Sequence, residues 1–311
     1  MSRSYSPDEM ATPRDPSRAP REYEPGLHRE VEGQEQGRSG STENHSRPSA
    51  PQGGRKPEGR TVEPRKPYEY RNRTYALRSS EIQTMTGIGK FRAVDAKDLK
   101  EFAYGGDGKH LEADLTSLRR QGLIARREIP HQENAPRQLV ALTKQGHRLL
   151  VATKNAPKDQ TLYHGFTKPR EAHHDADLYP MYYTAAEKIE RQGGRNLRVI
   201  LDYELKKRVY HDLAKLGPHR ESTAKKKEIA ETHGLQVVRG KIPLPDLRIE
   251  YETRDGETAR VDLELATEHY RGRNLAEKVR AGFSIYAHAQ DAVGLRRVLD
   301  QRELTAEILS L

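Results

Sequence analysis

The chain contains no cysteine, which excludes disulfides and thiolate-bound zinc. It has no apolar run near the roughly 18 residues that a membrane-spanning helix needs. Its N-terminus, "MSRSYSPDEMATPRDP", lacks the apolar stretch of a secretory signal. These absences lead to the expectation of a cytoplasmic protein. Aliphatic side chains are scarce before Tyr75, and residues 1–73 are built largely from clustered Pro, Gly, Ser, Arg and Glu. Such a segment cannot bury enough apolar surface to offset its ordering entropy, so 1–73 is expected to be a disordered tail. Setting it aside accounts for a 311-residue chain that is only 33% apolar and 32% charged. The remainder, about 240 residues, suffices for two ordinary domains.

The net charge of +9 is unevenly spread. Residues 1–54 are close to neutral, whereas "RKPEGRTVEPRKPYEYRNR" (55–73) is basic, and the excess continues to about residue 155. A basic arm leading into a basic domain suits a polyanion, because each phosphate neutralised releases counterions. A solubilising tail is the plainer reading of the same composition.

Residues 74–155 carry the first domain pattern. Ser80 and Gln83 have the spacing of a capping box, and Asp95 is a plausible N-cap for "DAKDLKEFAY", with Leu99 and Phe102 on one face. After the turn "GGDG", Leu111, Leu115 and Leu118 form one apolar stripe, and Gly122 suits the left-handed position that ends a helix. "LIARREI" and "RQLVALT" read as strands around the loop "PHQENAP", and Thr143 can cap a last helix, "KQGHRLLVA". Three helices, a hairpin and a closing helix resemble a winged helix-turn-helix, through "LTSLRRQGLIARRE" and "LVALTKQGHRLL". The resemblance implies that the third helix enters the major groove of double-stranded DNA while the wing flanks the backbone. Lys109, Ser117, Arg119 and Arg120 lie opposite the leucine stripe, and Arg126, Arg127 and Arg137 fall on the wing. These seven are the candidate DNA contacts, with arginine able to read guanine, and lysine and the wing arginines more suited to phosphates. Protein docking is the other use of such a module.

A linker (156–175) precedes the second pattern, 176–311. "ADLYPMYYTAAEKIERQGG" reads as a helix and "NLRVILDYELK" as a strand, with two charged helices between 206 and 235. "IPLPDLRIEYE" and "ARVDLELAT" read as strands paired across "TRDGE", and "RNLAEKVRAGFSIYAHA" as a helix with Leu275, Val279 and Phe283 on one stripe. The whole is therefore expected to be a mixed α/β chain of α+β and α/β parts, whose second domain is a mixed sheet flanked by helices. Its order of helix, three strands and helix is similar to the PD-(D/E)xK nuclease superfamily. That similarity implies a divalent cation, Mg2+ or Mn2+, held by Asp246 at the mouth of the second strand and by Asp262 and Glu264 on the third. Glu187 or Glu190 on the helix could complete the set. The motif's lysine is not kept two residues beyond the strand acid, where Glu264 or Ala266 stands. Lys278 on the next helix is the candidate replacement, making Asp246, Glu264 and Lys278 the catalytic set of an active enzyme. The plainer reading is a solvated strand face beside Arg248, Arg260 and Arg271.

Taken together, residues 77–311 resemble the replication-relaxation family of plasmids and other mobile elements. The resemblance runs through "GKFRAV", "DLTSLRRQGLI", "LDYELK", "PDLRIEY", "LELATEHYRGRNLAEKVRAGFSIY" and "LTAEILSL". It implies a DNA-binding protein in replication or mobilisation, with replication or mobilisation proteins as partners. An active magnesium-dependent endonuclease and a regulator or docking scaffold stand beside that reading. Other signals are weaker: "TGIGK" and "GGDGK" lack phosphate-loop spacing, and the neighbouring side chains of "HHD" (173–175) should diverge. Tyr179, Tyr182 and Tyr183 lack the paired-histidine motif of a relaxase and read as a helix face.

Overall fold

The computed structural model describes residues 63–130, 136–166, 168–217, 222–267, 270 and 272–311. The expected tail therefore lies, for residues 1–62, outside the described residues, as do Arg271 and part of the loop "PHQENAP". The last residues assigned to the tail are ordered. Strands β1 (Lys66–Tyr70) and β2 (Arg73–Leu77) form an antiparallel hairpin across Arg71 and Asn72, both with positive φ. The correction has a simple cause: Tyr75 and Leu77 are buried and tie the hairpin to the core.

Helix α1 (Ser79–Lys90) starts one residue before the expected cap. The Arg78 backbone N–H donates to the Glu81 carboxylate at 2.7 Å, so Glu81 does the work expected of Gln83. Asp95 caps the next helix by accepting from the Lys97 N–H at 2.9 Å. That helix, α2 (Ala96–Asp98), passes into a π-helical turn at Leu99–Ala103. Helix α3 (Gly108–Arg120) buries Leu111, Leu115 and Leu118, and Gly122 follows with φ of 73°. Strands β3 (Val94–Asp95), β4 (Ile124–Ile129) and β5 (Arg137–Leu142) form an antiparallel sheet in the order β3-β5-β4. Thr143 caps α4 (Lys144–Ala152) by accepting from the Gly146 N–H at 3.0 Å.

Helix α5 (Pro169–Arg191) is 23 residues long and begins inside the expected linker. A second sheet follows, in the order β10-β9-β8-β7-β6. Its strands are β6 (Arg195–Leu201), β7 (Leu247–Glu252), β8 (Thr258–Leu265), β9 (Ser284–Ala287) and β10 (Ile308–Ser310). The β6–β7 and β7–β8 pairs are antiparallel; β8–β9 and β9–β10 are parallel. Helices α6 (Asp202–Lys215), α7 (Thr223–Thr232), α8 (Gly272–Arg280) and α9 (Ala289–Asp300) complete the chain.

Three expected elements are shorter than the sequence suggested, the first being the strand over "IPLPDLRIEYE", which begins only at Leu247. "DYELK" is the first turn of α6 rather than the end of a strand, and "SIYA" is strand β9 rather than helix. Gly282, with φ of 80°, breaks the run after α8 and lets Ile285 and Tyr286 pair with β8. Alternation along the strands then feeds two cores. Val199, Leu247, Ile249, Leu263 and Leu265 pack with α5 and with the first half of the chain. Ile200, Ala266, Ile285 and Ala287 pack beneath α6, α7, α8 and α9. Residues 65–311 belong to one compact unit, and no described helix is long and apolar enough to cross a membrane.

Helix α5 joins the two halves through aromatic side chains. Phe91 meets Tyr179 edge-on at 5.2 Å and Tyr182 at 5.6 Å, while Phe102 stacks on Tyr183 at 5.2 Å. Such pairs add roughly 0.5–1.5 kcal/mol each beyond their burial.

The start of α4 is equally tight. A Cβ on Gly146 would collide with the Leu123 carbonyl oxygen, which accepts from Thr143 N at 3.0 Å and Thr143 Oγ1 at 3.1 Å. Gly146→Ala should therefore lose roughly 1–3 kcal/mol in chemical denaturation. Gly87→Ala, in the middle of α1 with nothing within 4 Å of the new methyl, should gain about 0.4–1 kcal/mol.

Candidate active site

The mouth of β7 brings two of the candidate acids, Asp246 and Glu264, together with side chains from α5 and α8. Asp246 immediately precedes β7, and its Oδ2 accepts from the Leu265 N–H of β8 at 2.9 Å. Glu264, two residues beyond Asp262, is completely buried on the face covered by α8. Lys278 of α8 reaches it, with Nζ 2.6 Å from Glu264 Oε1 and 2.6 Å from the Leu244 carbonyl. The Tyr270 hydroxyl also donates to Oε1. Among the described residues, the other oxygen, Glu264 Oε2, is buried without a hydrogen-bond partner.

Helix α5 adds a residue that the sequence reading set aside. His174 Nε2 lies 3.4 Å from Asp246 Oδ2. The three neighbours in "HHD" do diverge: His173 meets the Pro130 carbonyl at 3.0 Å, and Asp175 lies 3.9 Å from Arg92. His174 turns to the acids. The usable signal was its place on the helix that crosses β7 and β8, rather than its spacing from other ligands. Tyr270 had no such signal.

Electrostatics follow from this packing. Burial, and then the neighbouring Asp246 charge, push the Glu264 carboxyl up to about 7 against the pull of Lys278 and Tyr270. For His174, burial works against the charged ring. Its hydrogen bond with Asp246 and the Asp246, Asp175 and Glu264 charges outweigh that, lifting it to about 9 although the side chain is 40% exposed.

Asp246, Glu264 and Lys278 are thus brought together, while Asp262 is not available to them. Arg248 clamps both Asp262 oxygens at 2.6 and 2.8 Å, and is itself held by the His233 and Gly234 carbonyls. Glu187 pairs with Arg191 on the exposed side of α5, and Glu190 lies near Lys90. Among the described residues, no group of three or more His, Cys, Asp or Glu side chains has metal-holding geometry.

The candidate DNA contacts also divide. Lys109, Arg119, Arg120 and Arg127 are exposed, Arg127 lying over the Phe166 ring at 4.5 Å. Ser117 accepts from Gln121 Nε2 at 3.3 Å, and Gln121 also grips the Ala76 backbone of the hairpin. Arg126 binds Glu112 at 2.6 Å and Gln138 at 2.8 Å. Arg137 turns inward, binding Asp95 and Asp177 at 2.8 Å each, with Asp98 at 3.8 Å. It faces a cleft of about 850 Å³ that is also lined by Asp98, Asp177 and His288. His288 Nε2 meets Asp177 at 3.2 Å. Arg137 therefore bridges β5 and α5, as a structural cation.

That bridge has a stability signature. Arg137→Ala would leave buried carboxylates without their cation and should lower stability by about 3–5 kcal/mol. Its hydrogen bond with Asp177 holds His288 above the ordinary imidazole value. Such a group stabilises fully below its unfolded pKa, and the contribution disappears as pH rises through the higher folded value. Burial, with the Asp95 charge, raises Asp98 to about 6, so its contribution also falls as pH climbs from the ordinary carboxyl range to that value. Thermal melts should show His288→Gln most damaging near pH 6 and nearly neutral at pH 9. A difference independent of pH would refute the ion-pair account.

No protein-family model matches the chain, and no curated protein matches it, so the geometry itself carries the functional reading.

Proposed function

We propose that the chain acts on DNA, docking on a duplex through its N-terminal half and cleaving phosphodiesters with a divalent cation held at Asp246 and Glu264. The observation that carries this reading is Lys278, 2.6 Å from a Glu264 carboxylate whose second oxygen is buried and unpartnered. The order α5, β6, β7, β8, α8 supports a PD-(D/E)xK-like arrangement, with Asp246 at the mouth of the second strand and Glu264 on the third. The α6–α7 pair interrupts it between the first two strands. Lys278 then supplies from α8 the ammonium that Ala266 cannot. The arrangement of α1, α2, α3 and the β3-β5-β4 sheet resembles a winged helix, whose docking helix would be α3.

The donor set fits a hard cation. Magnesium is commonly held by one or two carboxylates plus waters and substrate phosphates, rather than by a complete protein cage. Two carboxylates, one with an orphan oxygen, meet that requirement. Bound there, the ion would supply Lewis-acid charge and a more acidic water. The chain's own residues do the rest: the Leu265 N–H orients Asp246, and Lys278 brings positive charge beside the developing phosphoryl charge. A service to plasmid or mobile-element replication, with replication or mobilisation proteins as partners, rests on the resemblance to the replication-relaxation family. A binding-only domain is the second reading, favoured by His174 and Lys278 already standing against the two acids.

Magnesium or manganese should raise the melting temperature by mass action on the folded state, and Asp246→Asn should abolish that shift. Nicking of a supercoiled plasmid should be lost in both Asp246→Asn and Lys278→Ala. Metal stabilisation without nicking would select the binding-only reading; no metal response would end both. On the docking half, Arg120→Ala should weaken duplex binding by roughly 1–3 kcal/mol if it reads a base.

A further inference from the structure

Helix α6 is an insertion between β6 and β7, and its two faces differ sharply. Leu205, Val209 and Leu213 are buried against the second core. Tyr203, Lys206, Lys207, Tyr210 and Ala214 all face outward, and their helical spacing puts them on one stripe. Tyrosine usually hides most of its ring, yet Tyr203 is 55% and Tyr210 43% exposed. Cations flank both rings: the Arg92 guanidinium lies 5.2 Å from the Tyr203 centroid, and Lys206 Nζ lies 5.9 Å from that of Tyr210. The nearby carboxylate of Glu204 is engaged by Arg198 and Arg208.

The stripe starts at the candidate active site. The N–H of Asp202, the first residue of α6, donates to the Asp246 backbone carbonyl at 3.0 Å. Tyr203 is the next residue along. Arg92, beside that ring, also approaches Asp175, the neighbour of His174.

We propose that this face of α6 binds an unpaired nucleic-acid strand and leads it to the acids at the mouth of β7. Exposed aromatic rings alternating with cations are what a single strand requires: each base offers a π-face to stack and each phosphate a charge to neutralise. A duplex keeps its bases stacked inside and offers the rings nothing. Tyr203 and Tyr210, two turns apart, stand about 10.5 Å apart along the helix axis, with the Lys206 and Lys207 ammoniums between them. The proposal rests on the DNA-cleaving reading for its destination, but the strand contact itself needs no metal.

The chain has no tryptophan but 15 tyrosines, so Tyr203→Trp and Tyr210→Trp each create a single tryptophan in the full-length protein, excited at a wavelength that the tyrosines do not absorb. Both variants are titrated, in chelator, with oligo(dT), oligo(rU) and a blunt hairpin duplex of equal charge. Saturable quenching by a single strand, weaker with the duplex, is the expected result; dT against rU then identifies the sugar preferred. Lys206→Gln with Lys207→Gln, placed in the Tyr203→Trp background, should weaken binding roughly tenfold and flatten its salt dependence. A Tyr203→Ala, Tyr210→Ala chain with an unchanged circular dichroism spectrum should bind single strands roughly tenfold or more weakly by filter retention. Absence of quenching, or equal quenching by the duplex, overturns the proposal. Because divalent ions are excluded, that failure is separate from loss of the metal response that tests Asp246.

Discussion

The burial of α5 on two sides is the constraint from which the rest of the structure follows. One stretch of this helix presents Tyr179, Tyr182 and Tyr183 to Phe91 and Phe102 in the first half of the chain. The same helix packs Leu178, Met181, Ala185 and Ile189 into the core shared with β6, β7 and β8. Neither side can be exposed without uncovering large apolar surface, aromatic on one side and aliphatic on the other, so the two halves share one core. Arg137 fixes the contact electrostatically, since its partners Asp95 and Asp177 come from opposite sides of it. With α5 held in this way, His174 has one place to go: the mouth of β7, against Asp246.

Much of this was legible because it is local. The caps at Asp95 and Thr143, the leucine stripe of α3 and the Gly122 stop are written in side chains that act within a turn of the backbone. Alternation in "IPLPDLRIEY" and "RVDLELAT" likewise paired β7 with β8 across a hairpin, with Asp246 just before the first paired residue, Leu247, and Glu264 just after its partner, Leu263. What escaped was tertiary. "DYELK" carries no sequence mark that separates a strand end from a helix start, and α6 begins there because Leu205, Val209 and Leu213 need a core. "SIYA" looks like a helical continuation until Gly282 lets it join β8 in parallel. The hairpin at 66–77 was hidden by its charged composition, because few of its side chains are buried; Tyr75 and Leu77 anchor it, with Gln121 holding the Ala76 backbone.

Charge was the least readable property of all. Seven positions were candidate DNA contacts, yet α3 and the β4–β5 hairpin use them differently. Arg126 is spent on Glu112 and Gln138, and Arg137 on three aspartates, because both point toward carboxylates supplied by other elements. The exposed remainder, Lys109, Arg119, Arg120 and Arg127, is what a polyanion could meet. A count of basic residues overstates such a surface whenever the fold supplies internal acids.

The same partition separates the acids of the second sheet. Asp262 and Glu264 leave the same face of β8, but Arg248 takes both oxygens of the first. Lys278 and Tyr270 both engage one oxygen of the second. A guanidinium fork gives each carboxylate oxygen a donor, whereas an ammonium and a hydroxyl meeting at a single oxygen leave the other, among the described residues, buried without one. Leaving such an atom unsatisfied costs free energy in a folded core. The cost falls at Glu264 and not at Asp262, beside an Asp246 already oriented by the Leu265 N–H. An unsatisfied buried oxygen of this kind adds nothing to packing, which is why the cation-binding proposal rests on Glu264 rather than on Asp262.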